Sequence, residues 1–196
     1  MSDRSVTTKG LDPAGYEPRR LKGMALSYAL SPRGACHLRA TFYKAELGGL
    51  LKDLDDDAYV DMYVDWEDRM LLADSLTECR FWRDLLSWDF MSSAAQQLSG
   101  RPVSKEGLQA LCNETLTRIR RLNLAFGMVP ADDTVAERFF TEATDKAPAL
   151  DREELERRVR LYWVKRGWTE LGYPRRATSS AIASPMSFVP EVPPRS

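Results

Sequence analysis

Residues 103–127 read VSKEGLQALCNETLTRIRRLNLAFG and form the clearest helical pattern in this sequence. Apolar side chains recur there every three or four positions, which places them on one stripe of an α-helix. Ser104 can cap the amino end, and Gly127 can end the helix. We therefore predict a helix over this segment, with Cys112 packed beside the stripe. The predicted stripe consists of Leu108, Leu111, Thr115, Ile119, Leu122 and Phe126.

Four other stretches also favour helices: residues 21–30, 53–69, 132–143 and 150–168. The first is short and apolar and ends before Pro32, whereas residues 132–143 open with aspartates that suit a helix amino terminus. No stretch alternates apolar and polar residues as a half-buried strand does. The fold class is therefore predicted to be all-α.

Residues 53–69 are strongly acidic, and Met62, Trp66 and, just beyond this range, Met70 follow one another at intervals of four. This pattern predicts an amphipathic helix with a charged outer face in water. A calcium loop is the alternative, but it requires a fixed ligand order around a central glycine, which this segment lacks. The acidic side chains are Asp53, Asp55, Asp56, Asp57, Asp61, Asp65, Glu67 and Asp68.

Residues 150–168 carry start and stop signals for a helix. Asp151 is placed as the N-cap, Glu154 occupies the capping-box position, and Gly167 ends the segment. The predicted buried face consists of Leu155, Val159, Tyr162 and Trp163.

Composition limits the possible classes of protein. The 196 residues are 43% hydrophobic and carry a formal net charge of −1, which fits a globular domain with a real core. The balanced charge gives no support for nucleic-acid binding. The sequence has no run of about 18 apolar residues, which a membrane-spanning helix would need. No secretory signal is visible, and three widely spaced cysteines favour a reducing, cytoplasmic location.

Prolines and glycines divide the chain into three parts. Residues 1–20 are predicted to form an extended lead-in, residues 21–173 a helical domain, and residues 174–196 a disordered tail rich in proline and serine.

Residues 31–40, SPRGACHLRA, contain the single histidine of the chain, His37, next to Cys36. One histidine and three cysteines can in principle form a Cys₃His zinc site, but such sites usually contain closely spaced cysteine pairs, which this sequence lacks. The sequence also lacks the phosphate-binding, serine-hydrolase and zinc-protease motifs.

Residues 16–47, YEPRRLKGMALSYALSPRGACHLRATFYKAEL, resemble the C-terminal region of the tungsten-dependent aldehyde ferredoxin oxidoreductases. The family pattern there is DPR-x-x-x-G-x-x-L-x-Y-A-T-S-x-R-G-x-x-H-L. This chain follows it at Glu17-Pro18-Arg19, Gly23, Leu26, Tyr28-Ala29, Ser31, Arg33-Gly34 and His37-Leu38.

Three further motifs follow in the family order. The pattern D-x-x-G-L-C is similar to residues 74–79, and R-I-x-x-L-x-x-x-F-N-x-R-x-G is partly followed over residues 118–127. The pattern Y-x-x-R-G-W-x-x-x-G-x-P is matched, with one extra residue after the tyrosine, by Tyr162, Arg166-Gly167-Trp168, Gly172 and Pro174.

The resemblance implies an enzyme that oxidises aldehydes to carboxylates at a tungsten or molybdenum bis-pterin, with electrons leaving through a [4Fe–4S] cluster to ferredoxin. It implies that His37 is the catalytic histidine beside the metal, where an imidazole can donate a hydrogen bond or shuttle a proton. It also places Arg39, Asp74 and Glu78 among the cofactor-binding residues and makes Cys79 a metal ligand, the fourth ligand of the cluster.

Two departures from the family pattern qualify this interpretation. Thr77-Glu78 replaces Gly-Leu in the second motif, and we expect the threonine to narrow the space that glycine leaves for the pterin. The 196 residues also lack the family's N-terminal pterin-binding domain and its C-x-x-C-x-x-x-C cysteines. The chain is therefore expected to be a C-terminal part, split subunit or remnant that is inactive alone and leaves apolar surface exposed around Trp82, Trp88 and Phe90. A non-catalytic helical interaction module is the alternative.

Overall fold

The computed structural model describes residues 6–175, and the regular structure in that range is helical, apart from isolated β-bridges. The all-α prediction is therefore confirmed. The α-helices are α1 (Lys22–Leu30), α2 (Tyr43–Leu47), α3 (Asp56–Ser75), α4 (Trp88–Ser99), α5 (Lys105–Ala125), α6 (Arg138–Thr141) and α7 (Arg152–Lys165), with 3₁₀ segments at Arg80–Leu85 and Pro130–Asp132. Within residues 6–175, no helix combines the length and the apolar character that a membrane crossing requires.

The lead-in is irregular as far as it is described, with a tight turn closed by reciprocal backbone hydrogen bonds between Thr8 and Leu11. The Tyr28 hydroxyl of α1 donates to the carbonyls of Ala14 and Tyr16 at 3.3 and 3.2 Å, which attaches the lead-in to the core. Of the predicted tail, all but the first two residues lie outside the described range.

The main core lies where α3 and α1 pack against α7. Aromatic rings cross this interface edge to face, with centroids 5.2 Å apart for Phe42 and Tyr63, 5.7 Å for Tyr63 and Tyr162, and 5.8 Å for Tyr162 and Trp168. Such pairs contribute about 0.5–1.5 kcal/mol each beyond the area that they bury.

The sequence reading of α7 is confirmed at its start and along its buried face. The Asp151 carboxylate accepts from the Glu154 amide at 3.2 Å, as an N-cap does. The four residues of the predicted face are buried. Glu154 itself forms ion pairs with Lys22 and Arg158, both at 2.8 Å.

The predicted apolar stripe of α5 is confirmed at Leu108 but wrong at three other positions. The helix buries Leu108, Cys112, Leu116 and Arg120, whereas Leu111, Leu122 and Phe126 of the predicted stripe are more than half exposed. The shift occurs because α5 packs against both α3 and α4 and because one of its four buried positions, Arg120, is an arginine. Regular spacing alone cannot reveal that the arginine faces inward.

Cys112 is a packing residue, as predicted. It is 1% exposed in a second apolar cluster with Met70 and Met91, and its thiol donates to the Asp68 carbonyl at 3.6 Å. Burial raises the pKa of this thiol to about 12, so it stays protonated and unreactive at neutral pH.

The charged outer face predicted for residues 53–69 is wrong at its last two acids. The helix extends to Ser75, and Glu67 and Asp68 are each 2% exposed. Arg166, just after α7, meets both carboxylates, with Nη2 2.6 Å from Glu67 Oε2 and Nη1 2.8 Å from Asp68 Oδ1. The Tyr162 hydroxyl also donates to Glu67 at 2.7 Å. We call these four residues the Arg166 network.

A second buried ion cluster corrects the prediction for residues 132–143, where only the short α6 forms. Asp133 does not sit at the start of a helix but is buried, with ion pairs to Lys9 at 2.8 Å and Arg120 at 2.7 Å. The Trp163 indole donates to the same carboxylate at 2.9 Å. Burial is the main cause that lowers the pKa of Lys9, and the carboxylate opposes it.

The carboxyl end of α3 is closed by a Schellman motif. The Glu78 amide donates to the Ala73 carbonyl at 2.8 Å, and the Thr77 amide donates to the Asp74 carbonyl at 3.2 Å. Thr77 has a φ of +58°, a left-handed conformation that glycine adopts without steric cost. The glycine in the family pattern at this position therefore has a structural reason, because it ends the helix.

Replacing Arg166 should strongly reduce the free energy of unfolding. The variant Arg166→Leu should lose about 3–5 kcal/mol of unfolding free energy, because it leaves two carboxylates buried without a cationic partner. Urea unfolding followed by tryptophan fluorescence measures this loss. The control Arg160→Leu breaks a half-exposed pair with Glu156 at 3.6 Å and should cost less than about 1 kcal/mol. Equal effects of the two variants would contradict the role given to the network.

Thr77→Gly should stabilise the protein by about 1 kcal/mol, because it removes the Cβ contact that strains a left-handed residue. Thermal unfolding measures the change. Thr77→Ala retains the Cβ and serves as the control, with no gain expected. If alanine stabilised the protein as much as glycine, backbone strain at Thr77 could not be the cause.

Candidate functional site

The segment between α1 and α2, residues 31–40, is fixed from two sides. Gly34 has a φ of +98°, and a Cβ there would run into the Thr8 carbonyl and lie 2.9 Å from the Leu11 Cβ. A glycine is therefore required where the lead-in packs on this segment. On the other side, the Asn123 side chain of α5 donates to the Pro32 carbonyl at 2.8 Å.

His37 lies on this segment and is partly buried. Its ring centroid is 5.5 Å from that of Tyr16, which in turn stacks on Tyr43 at 4.2 Å. Burial lowers the pKa of His37, and the positive charges of Arg33 and Arg80 lower it further. The neutral imidazole is therefore favoured at physiological pH, where one ring nitrogen can accept a proton and the other can donate a hydrogen bond. Its neighbour Cys36 is buried in the core at 4% exposure.

The structure brings two of the predicted residues into contact. Arg39 Nη1 lies 3.0 Å from Asp74 Oδ2, with both side chains about a third exposed. Asp74 belongs to the last turn of α3, so α3 and the 31–40 segment meet at this ion pair.

Arg80 is the main residue at this site that sequence reasoning did not single out. Its guanidinium binds Asp74 through two bonds, Nε to Oδ1 at 3.1 Å and Nη2 to Oδ2 at 2.5 Å. It also donates to the carbonyls of Leu38 and Met70. The only signal in the sequence is an arginine directly after Cys79, six residues from Asp74, and such spacing has no established meaning outside a regular helix.

Glu78 and Cys79 follow the end of α3, and both are exposed. Cys79 is a free thiol, and Glu78 meets the solvent, which a carboxylate needs when no cation is paired with it. The alternative Cys₃His zinc site is not assembled, because Cys36 and Cys112 are buried while Cys79 is exposed. Within residues 6–175, no group of three or more His, Cys, Asp or Glu side chains is arranged to hold a metal ion.

Apolar side chains are exposed next to Cys79, as the sequence predicts for Trp82 and Phe90. Phe81 is 90% exposed, Trp82 59% and Leu85 64%, and Phe90 of α4 is also exposed. We call these four residues the apolar ridge. Trp88 differs from the prediction, since it is partly buried and its indole donates to Asp65 at 2.7 Å.

The comparisons with known proteins agree with the motifs. The family described as "Aldehyde ferredoxin oxidoreductase, domains 2 & 3" matches residues 1–182. The tungsten-containing aldehyde ferredoxin oxidoreductase of Pyrococcus furiosus is 30% identical over 187 residues, covering 86% of this chain and 29% of that protein. Its counterpart in Thermococcus kodakarensis is 28% identical with the same coverage.

A third relative of the same name, from Pyrococcus horikoshii, is 27% identical and covers 80% of this chain and 27% of its own length. The chain therefore spans less than a third of the length of these curated relatives. The helical fold, the ordered motifs and these matches together show that the chain belongs to the aldehyde ferredoxin oxidoreductase family and corresponds to its C-terminal region.

Proposed function

We propose that this chain is the C-terminal part of an enzyme that oxidises aldehydes to carboxylates at a tungstopterin and passes the electrons through a [4Fe–4S] cluster to ferredoxin. The observation that carries the proposal is the ion pair between Arg39 and Asp74 at the end of α3. His37 lies two residues before Arg39 on the 31–40 segment, and Cys79 lies on the turn that follows α3. These are the residues whose types the family pattern assigns to the metal, the pterin and the cluster.

The donor chemistry at Asp74 fits a pterin. The carboxylate accepts two N–H donors from one planar group, the Arg80 guanidinium. A pterin presents a comparable pair, its 2-amino group and the adjacent ring N–H, so an acceptor-only side chain suits it. When bound, the tungstopterin supplies the two-electron chemistry at the aldehyde carbon.

Each of the predicted site residues then has a specific role. His37, whose neutral form is favoured by its surroundings, accepts a proton during hydration of the aldehyde and, once protonated, passes that proton on. Asp74 and Arg39 orient the pterin through charge-assisted hydrogen bonds. Cys79 offers an exposed thiol for the cluster, where thiolates are the usual ligands, and Glu78 lies beside it in solvent.

A partner is required by this proposal. Cys79 is the one exposed cysteine among the three of the chain, and a [4Fe–4S] cluster is usually held by four. The curated relatives are more than three times as long as the portion that this chain covers. We place the missing N-terminal pterin-binding part against the apolar ridge, because exposed apolar patches beside a site mark contact surfaces. Alone, the chain is expected to be inactive. Its exposed free thiol also fits the reducing environment of a cytoplasm.

The alternative is a helical interaction module that has lost its redox role. The specific observation in its favour is that Asp74 is already paired with two arginines, Arg39 and Arg80. In that case the ridge would bind a partner, but the complex would contain neither tungsten nor iron.

The single histidine allows a direct test of the pH behaviour. A ¹H NMR titration should give His37 a pKa below the usual value of about 6.5. The unfolded chain then binds more protons just below that pH, so the unfolding free energy should fall as pH decreases from about 6.5 to the folded pKa. Arg33→Gln should raise the His37 pKa, and Arg118→Gln on the distant surface of α5 should not. A pKa at or above 6.5 would contradict the proposed neutral imidazole.

Co-expression tests the enzyme assignment. The chain, produced with a matching N-terminal part of the family, should purify with tungsten and iron and reduce a dye in the presence of aldehyde. Cys79→Ser should remove most of the cluster absorbance and iron, because a serine hydroxyl does not replace the thiolate. Cys112→Ala changes a buried thiol and should leave the iron content unchanged. A stable complex without either metal would support the interaction module instead.

A further inference from the structure

We infer that Arg80 is an internal stand-in for the pterin, so that it occupies the Asp74 carboxylate in the unloaded chain and must leave before a pterin can bind there. The inference rests on the proposed function, which assigns Asp74 to the pterin. It adds a residue that neither the family pattern nor the sequence analysis had marked.

The geometry of the pair is that of a ligand in its site. Nε and Nη2 of one guanidinium reach the two oxygens of one carboxylate at 3.1 and 2.5 Å, and the Arg80 side chain is only 13% exposed. Arg39 adds a third donor to Asp74 Oδ2 at 3.0 Å. A planar pair of donors facing both carboxylate oxygens is the strongest arrangement for such a group.

A pterin would have to use the same two oxygens. Its 2-amino group and neighbouring ring N–H point in parallel from one edge, as the Nε–H and Nη2–H of arginine do. Two planar groups cannot face the same pair of oxygens in the same plane at once. Arg80 and the pterin therefore compete for Asp74, and the bound arginine weakens the affinity of the chain for the pterin.

The segment that carries Arg80 is built so that it can move. The 3₁₀ segment Arg80–Leu85 buries none of its residues, so displacing it removes little core packing. It is held by the Arg80 contacts, by the Lys44–Asp84 ion pair at 2.8 Å with both side chains well exposed, and by a few backbone turns. The Arg83 guanidinium also lies over the Tyr43 ring, 5.9 Å from its centroid. Exposed ion pairs of this kind contribute little to stability.

Binding of free pterin to the full chain tests the competition. Pterin (2-amino-4-oxopteridine) is titrated against the wild-type chain and against Arg80→Leu, with binding followed by fluorescence anisotropy. Pteridine-2,4-dione carries an oxygen in place of the 2-amino group and serves as the control ligand. Arg118→Leu removes an exposed arginine of α5 that pairs with Glu114 at 2.5 Å, and it controls for the loss of one charge.

If Arg80 is the stand-in, Arg80→Leu should bind pterin at least roughly tenfold more tightly than the wild-type chain, since a bidentate charged contact no longer competes. Arg118→Leu should bind like wild type, pteridine-2,4-dione should gain little, and adding Asp74→Asn to Arg80→Leu should abolish the gain. Circular dichroism establishes that each variant is folded. Should Arg80→Leu fail to fold, Arg80→Lys retains one charged donor without the planar pair and should show a smaller gain.

Equal pterin affinity of folded Arg80 variants and the wild-type chain would overturn the inference, and Arg80 would then be a structural link alone. That outcome is distinct from failure of the proposed function, which is judged by tungsten and iron in the co-expressed complex. A metal-loaded complex together with unchanged pterin affinity would reject the stand-in and retain the enzyme. A gain in affinity that depends on Asp74, without metal in the complex, would support the role of Arg80 and reject the enzyme assignment.

Discussion

The ion pairs of Arg166 with Glu67 and Asp68 are the constraint on which the rest of the structure depends. Three formal charges lie in the interior with exposures of about 2% each, and a buried charge is tolerated only when it is paired and hydrogen-bonded. The two carboxylates sit in the middle of α3, and the arginine follows α7 directly. The pairing therefore fixes the register of α3 against α7, the two helices with the most extensive contact.

This register determines where the candidate site lies. Asp74 is in the last turn of the same helix, less than two turns beyond Asp68, so its position follows from that of the network. The Schellman turn then directs the chain back, and Arg80 returns to Asp74 and to the Leu38 carbonyl. The 31–40 segment with His37 is thus tied to the end of a helix that the core already holds in place.

The family motifs divide between two purposes in this chain. In the fourth motif Tyr162, Arg166 and Trp168 are all core residues, and the arginine belongs to the buried network. In the second motif the position of the glycine ends α3, and this chain fills it with a threonine at φ +58°. Some residues of a family motif are thus shared because they pack in the core or end a helix. A catalytic role therefore has to be argued for each side chain separately.

The sequence by itself determined the helical fold class, because this depends on the local spacing of apolar residues. It also determined the capping residues Ser104 and Asp151, whose side chains lie next to their backbone partners in the chain. The order of the motifs determined the family. The sequence also indicated His37, Arg39 and Asp74 as site residues, but not Arg80, which binds Asp74 and the Leu38 carbonyl. Only the tertiary structure decided which apolar residues of α5 are exposed and which charged residues are buried, namely Glu67, Asp68, Arg120, Asp133 and Arg166. The physical reason is that burial of a charge depends on a partner far away in the chain, and no local pattern carries that information.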